Sequence, residues 1–465
     1  MVKHATLPRN ETGIETAVGV LKQQFGERLQ TGQSVCEQHG HTTTWIENQP
    51  PDAVVFVHST QEVSDVVSVC AQHKVPIIPF GIGSSLEGHL NAPAGGISID
   101  LSQMDQIIEV NEGDLDCRIQ PGVTREGLNT HLRDKGLFFP IDPGANASLG
   151  GMAATNASGT NAVLYGTMKD NVLALEAVMA DGRVIRTGTR ARKSSAGYDM
   201  TRLLVGSEGT LCVITEITLR LRGIPEGISA ARCSFPTVDA ACQTVMAVIQ
   251  YGLPVARIEL LDETMVKAIN AYSKLNLPET PLLLLEFHGT EAGVAEQAEV
   301  FGEISEEYGG TGFQATTTTE ERNKMWKARH DAYWAILQYR PGADGVATDV
   351  CVPISRLAEC VTAAQERAEA LGLIAPVIGH VGDGNFHATP LVDMSDADEV
   401  ARAAEFVSWL NDLAISMGGT CTGEHGIGQG KMPYLKRELG AATDFMHDIK
   451  RALDPANILN PGKII

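Results

Sequence analysis

Three stretches between residues 79 and 210 constrain this chain most: PFGIGSSLEG (79–88), PGANASLGGMAATNASG (143–159) and GSEGT (206–210). Glycine inside a helix costs about 1 kcal/mol relative to alanine, and it weakens strands too. These stretches therefore read as connections rather than as the interior of regular elements. Around them stand short β runs: AVVFV (53–57), VPIIPF (75–80), ISIDL (97–101) and the alternating VITEITLRL (213–221). Residues 53–221 thus predict an α+β segment whose strands are joined by glycine loops. Small residues let backbone N–H groups close on an anion, and successive N–H groups form concave nests suited to a pyrophosphate. Each loop alone also reads as a tight turn; three in one segment favour a ligand. The common phosphate fingerprints are absent. Gly81 and Gly83 begin a G-x-G, but Leu86 takes the sixth position. GIGQGK (426–431) ends like a P-loop, yet His425 stands where its first glycine belongs and Met432 replaces Ser/Thr. No G-x-S-x-G occurs, which argues against a serine-hydrolase elbow.

At 465 residues the chain exceeds what one hydrophobic core supports, so two domains are expected. Ile14, Val18, Leu21 and Phe25 share one face of an opening helix over residues 11–30, and GIPEGISA (223–230) reads as a linker. Beyond it, strands near 231–235, 256–260 and 281–289 alternate with helices, including clean stripes at Leu357–Leu371 and Val400–Met417. That order predicts a ferredoxin-like antiparallel sheet with helices on one face. A last helix carrying Phe445, Ile449 and Leu453 stops at DPANILNPG.

A net charge of −21 argues against nucleic acid and against electrostatic attachment to acidic lipid, although five of the 36 Lys+Arg fall between Arg183 and Lys193. Nine scattered cysteines without a C-x-x-C suggest reduced thiols in a cytosol-like compartment. The N-terminus shows no leader pattern, and apolar runs such as LLLL (282–285) are strand-sized, so a cytoplasmic location is expected.

Chemistry concentrates near the C-terminus. In GHVGDGNFH (379–387), Asp383-Gly384 signals a two-residue hairpin turn that pairs Asn385 with Gly382, Phe386 with Val381, and His387 with His380. Opposed residues have Cβ atoms about 4.5–5.5 Å apart, within reach of one ion. In GGTCTGEHGIG (418–428), Glu424 and His425 are adjacent and point to opposite sides if extended. Two histidines and a carboxylate suit a divalent Zn, Mn, Fe or Co ion with open positions; an ordinary polar hairpin and a surface pair remain the alternatives. WKARHDAYWAI (326–336) sets Arg329 among Trp326, Tyr333 and Trp334, and its planar fork suits a carboxylate.

Taken together, the three glycine loops, GHVGDGNFH, GEHGIG and LDPANILNPGK resemble flavoproteins of the vanillyl-alcohol oxidase type. The chain is most similar to the branch of cytochrome-type D-lactate dehydrogenases and glycolate oxidase flavoprotein subunits, from about residue 40 to the end. The resemblance implies an N-terminal helical segment (1–40), a two-subdomain FAD-binding domain (41–223), a substrate domain (224–417) and a C-terminal segment returning to the FAD domain (418–465). It implies that Gly81, Gly83, Ser84 and Ser85 hold the pyrophosphate. Pro143, Gly144, Leu149, Gly150, Gly151 and Asn156 would line the flavin and its linker, and Gly206, Glu208, Gly209 and Ile214 the adenosine side. His380, His387 and Glu424 match metal ligands, with zinc or manganese expected. His425 matches the catalytic base and Arg329 the carboxylate grip; Asn385 completes the catalytic group. Members that attach FAD covalently use a histidine where this chain has Ser84 or Ser85, so non-covalent FAD is expected. TDVCVPISRL (348–357) resembles D-lactate dehydrogenases. Relatives that oxidise D-2-hydroxyglutarate carry a lysine where this chain has Ala347 and a small hydroxyl residue where it has Tyr333.

The implied reaction is oxidation of D-lactate, or a similar short D-2-hydroxy monocarboxylic acid, to the 2-oxo acid. Electrons would pass to a cytochrome, a quinone or an electron-transfer flavoprotein. Glycolate or D-2-hydroxyglutarate is the alternative within the family, and a flavin-free metallohydrolase the alternative from another class. A homodimer and peripheral membrane association stay open.

Overall fold

The computed structural model describes residues 6–465, so residues 1–5 of the expected N-terminal segment lie outside the described residues. The chain forms two compact units. One comprises Met1–Ser158, Gly166–Ile224 and Glu424–Ile465; the other comprises Gly159–Tyr165 and Pro225–Gly423.

In the first unit, Asn10 caps the helix Glu11–Phe25 by accepting a hydrogen bond from the Gly13 amide (3.1 Å). That helix buries Ile14, Ala17, Leu21 and Phe25. It packs beside a four-stranded sheet ordered Leu29–Gln30, Ala53–Phe56, Ile97–Asp100, Ile77–Phe80, whose last three strands are parallel. Parallel neighbours need a crossover, supplied by the helix Thr60–His73, which Ser59 caps. A second, antiparallel sheet of five strands follows: Ile107–Asn111, Asp116–Ile119, Val213–Arg220, Val172–Val178 and Val184–Arg186 in spatial order. Its core takes Leu128 and Leu132 from the helix Arg125–Leu132, and Leu149 and Met152 from the helix Leu149–Thr155.

The C-terminal helix Ala442–Leu453 departs from expectation. Phe445 is 69% exposed and Ile449 37%. The inward face instead carries Lys450, whose buried ammonium donates to Asp454 (2.6 Å), the Leu459 carbonyl (2.7 Å) and the Thr210 carbonyl (2.8 Å). Satisfying that cation fixes the helix rotation, leaving Phe445 and Ile449 exposed while Leu453 packs against the core of the five-stranded sheet.

The second unit is built on a seven-stranded antiparallel sheet. Its spatial order is Thr311–Thr316, Gly227–Ser234, Leu282–Gly289, Val255–Leu261, Val377–Gly379, Asn385–Ala388, Val350–Cys351. The strand Gly227–Ser234 takes up half of the expected linker, because its residues pair all along Leu282–Gly289. Helices Val238–Tyr251, Glu291–Glu307, Leu357–Ala370 and Ala397–Ser416 cover one face, against Ile258, Leu260, Leu283, Leu285 and Phe287. The other face is also covered, which the expectation of helices on one face missed. Leu261, Leu282 and Leu284 there meet the helices Glu263–Ser273, Thr319–His330 and Ala332–Tyr339.

Candidate active site

That second face changes character along its strands. Arg257 pairs with Glu286 and Glu259 with Leu284, so Arg257, Glu259, Glu286 and His288 all project from one side of the sheet. Glu259 is fully buried. A buried carboxylate costs several kcal/mol unless it is paired and hydrogen-bonded, and Glu259 is both. His380 Nδ1 donates to its Oε1 (2.6 Å) and Arg329 Nε to its Oε2 (2.7 Å). Burial pushes the carboxyl up, but His380 and Arg329 outweigh it and hold the group below the ordinary carboxylate range. Arg329 lies one turn beyond Trp326, whose ring packs 4.7 Å from the Arg257 guanidinium. A second chain of polar contacts runs alongside: Tyr165 donates to His288 Nδ1, and His288 Nε2 to Glu286, both at 2.8 Å.

The hairpin carrying the two histidines forms in a different register. Ile378 pairs with His387 and Val377 with Ala388, so His380 lies in the connecting loop instead of opposite His387. A two-residue type I′ turn needs φ > 0 at both central residues, and only Gly384 (φ 79) adopts it. The loop closes instead through the amides of Asp383 and Asn385 on the His380 carbonyl (3.1 and 3.3 Å). A shift of two residues preserves the facing of side chains. The two imidazoles therefore still meet, with ring centroids 5.6 Å apart and planes at 86°.

His387 Nδ1 donates to the Thr348 carbonyl (2.8 Å). A carbonyl only accepts, so in the neutral ring Nε2 is the lone-pair nitrogen; Glu259 imposes the same tautomer on His380. Anchoring Nδ1–H on a carbonyl or carboxylate is how proteins prepare histidines for a metal, so these residues fit a divalent ion. Asn385 gives its amide to Asp349 Oδ1 (2.8 Å) and the Val350 carbonyl (2.9 Å), fixing the neighbouring strand. Asp349 also accepts from Thr422 Oγ1 (2.8 Å), and its carbonyl accepts from the Gly423 amide (3.1 Å). Glu424, the third expected ligand, follows Gly423 directly and opens the C-terminal segment of the first unit.

In the first unit, the loop after Glu424 is pinned by Glu208. That carboxylate accepts from the Ile427 and Gly428 amides, both at 2.7 Å, and faces His89 at 3.0 Å. Glu208 therefore holds the loop that presents His425. His425 Nδ1 lies 3.7 Å from Glu87, which Lys431 holds at 3.2 Å.

Five expected cofactor residues, Gly81, Gly150, Gly151, Gly209 and Ile214, line one cavity of about 60 Å³ with Pro79, Phe80 and Ser148. The packing demands glycine at position 150, where a Cβ would stand 2.4 Å from Pro121 Cβ and 2.9 Å from its carbonyl oxygen. Ser85 Oγ is buried with no hydrogen-bond partner among the described residues, a hydroxyl that fits a phosphate oxygen. Gly83 and Gly206 take positive φ, Ser84 and Gly144 are exposed, and Pro143 is partly buried. Leu149 is instead fully buried in the core, and Asn156 caps its helix and accepts from the Lys169 amide (2.9 Å).

Sequence reasoning missed Glu259 and the Thr348 carbonyl. An acid between Ile258 and Leu260 in an apolar strand was the available signal for the first. A backbone acceptor gives no signal in sequence.

Residues 224–464 match the family described as FAD linked oxidases, C-terminal domain, and residues 51–188 match an FAD binding domain. A probable mitochondrial D-lactate dehydrogenase of Danio rerio is 47% identical over 97% of this chain and 92% of its own length. The mitochondrial cytochrome-type D-lactate dehydrogenase of Arabidopsis thaliana is 47% identical over 89% of this chain and 73% of its own. Among solved structures, substrate-bound p-cresol methylhydroxylase superposes with a TM-score of 0.82 at 18% identity, covering 99% of this chain and 98% of that one.

Proposed function

The chain belongs to the FAD-linked oxidases, and we propose that within that family it oxidises D-lactate, or a similar short D-2-hydroxy monocarboxylic acid, to the 2-oxo acid. The observation that carries this reading is an arginine and a histidine held by one buried carboxylate. Glu259 occupies Arg329 Nε, which leaves the Nη edge as a two-pronged donor for the substrate carboxylate. His380, His387 and Glu424 would hold a divalent ion, zinc or manganese, which supplies acidification of the substrate hydroxyl. Non-covalently bound FAD supplies the two-electron acceptor for the hydrogen on C2, and a cytochrome, quinone or electron-transfer flavoprotein takes the electrons onward. His425 accepts the hydroxyl proton, since imidazole exchanges protons near neutral pH.

Tyr333, four residues beyond Arg329, argues for a monocarboxylate. Its half-buried ring lies against Gly345, where an added Cβ would come within 3.1 Å. Ala347 stands where relatives that oxidise D-2-hydroxyglutarate carry a lysine, so that position brings no cation for a second carboxylate. Initial rates with an artificial acceptor test the assignment. D-lactate is expected to exceed L-lactate and D-2-hydroxyglutarate at least tenfold in kcat/KM; a preference for D-2-hydroxyglutarate, or no turnover of any of them, overturns it.

A further inference from the structure

We propose that Glu259 is a positioning residue that serves both halves of the substrate site at once, setting the substrate-binding arginine and a metal-ligating histidine from one carboxylate. This inference rests on the roles given above to Arg329 and His380. The geometry that carries it is a shared anion. Oε2 receives Arg329 Nε at 2.7 Å and Oε1 receives His380 Nδ1 at 2.6 Å. Glu259 is fully buried in the strand Val255–Leu261, between Ile258 and Leu260, which face the opposite core. Its backbone is held in register by strands on both sides, so the carboxylate is a fixed point while Arg329 and His380 come from a helix and a loop. A substrate that puts its carboxylate on the arginine and its hydroxyl on the metal is measured against the two oxygens of Glu259.

The test compares wild-type holoprotein with Glu259→Gln and Glu259→Asp, using D-lactate kinetics and calorimetric titration of Mn²⁺ into chelator-treated protein. Loss of an outer partner lowers metal affinity about 10–100-fold. Glu259→Gln is therefore expected to weaken Mn²⁺ binding at least tenfold and to raise KM at least tenfold, with a smaller change in kcat. Glu259→Asp, which keeps the charge, is expected to recover most of the Mn²⁺ affinity but less of the KM, since its shortened carboxylate no longer spans both partners. A change in only one of the two quantities in Glu259→Gln, or in neither, overturns the dual role. If Glu259→Gln does not fold, Glu259→Asp decides: threefold or larger shifts in both quantities support the role, and wild-type values overturn it. If wild-type and His380→Ala proteins bind Mn²⁺ alike, it is the metal assignment itself that fails, and the two failures are thereby separated.

Discussion

At the scale of single residues, chemistry and binding fall to different side chains. His425 is assigned the proton and nothing else, so His425→Ala is expected to lower kcat by about 10²–10⁴-fold, the usual contribution of a general base. FAD content and Mn²⁺ stoichiometry should be unchanged. Turnover at the wild-type rate would remove the assignment. Tyr333 and Ala347 are assigned selectivity. The double substitution Tyr333→Thr with Ala347→Lys introduces a cation and clears the ring from Gly345. We expect kcat/KM for D-2-hydroxyglutarate to rise at least tenfold relative to that for D-lactate in a side-by-side assay; an unchanged ratio would place the specificity elsewhere.

At the scale of elements, the loop between His380 and His387 positions both histidines. Gly384 sits at φ 79, and a Cβ there would lie 2.1 Å from the Val352 carbonyl oxygen. Left-handed backbone costs a non-glycine residue about 1–2 kcal/mol before any clash. Gly384→Ala is therefore expected to destabilise the protein by at least about 2 kcal/mol in urea melts and to weaken Mn²⁺ binding; wild-type stability would contradict this loop geometry. Asp262 caps the helix Glu263–Ser273, accepting from the Met265 amide (2.8 Å), and burial pushes its carboxyl up to about 6. A raised folded-state value means that this group's contribution is full in acid and is lost as pH rises from its ordinary 3.8 through about 6. The stability difference between Asp262→Asn, still a capping residue, and the wild type should shift in the variant's favour as pH rises from about 4 to 7.5. A difference independent of pH would contradict that origin. The elements themselves were largely legible. Alternation and glycine loops marked the strands Ala53–Phe56, Ile77–Phe80, Ile97–Asp100 and Val213–Arg220, and helical stripes marked Leu357–Ala370 and Ala397–Ser416. Registers and rotations were not. The His380–His387 hairpin follows a loop geometry that Asp-Gly alone does not dictate, and the last helix is turned by Lys450, whose acceptors Thr210 and Leu459 come from other parts of the chain.

At the scale of the whole molecule, each unit supplies a different part of the reading. The first gathers Gly81, Gly150, Gly151, Gly209 and Ile214 around one cavity, although the sequence scatters them over more than a hundred residues. Motif chemistry made those residues visible early because nests are local. The second contains Arg329 and His380, joined through Glu259, and His387, held by the Thr348 carbonyl; no motif includes these partners, and an acid in an apolar strand was the one trace of them in sequence. The short piece Gly159–Tyr165 belongs to the second unit despite its place inside the first half of the chain. Asn161 meets Arg257 (2.8 Å) and Tyr165 meets His288 (2.8 Å), partners too distant in sequence to be paired by pattern. The proposed function is removal of hydrogen from a D-2-hydroxy acid by way of bound flavin. The most direct measurement is the visible spectrum of the purified holoprotein under anaerobic conditions, before and after D-lactate, with L-lactate as control. Bleaching of the oxidised flavin band by D-lactate alone is the predicted result. A flavin band that D-lactate leaves unchanged, or a protein that stays colourless when FAD is supplied, would contradict it.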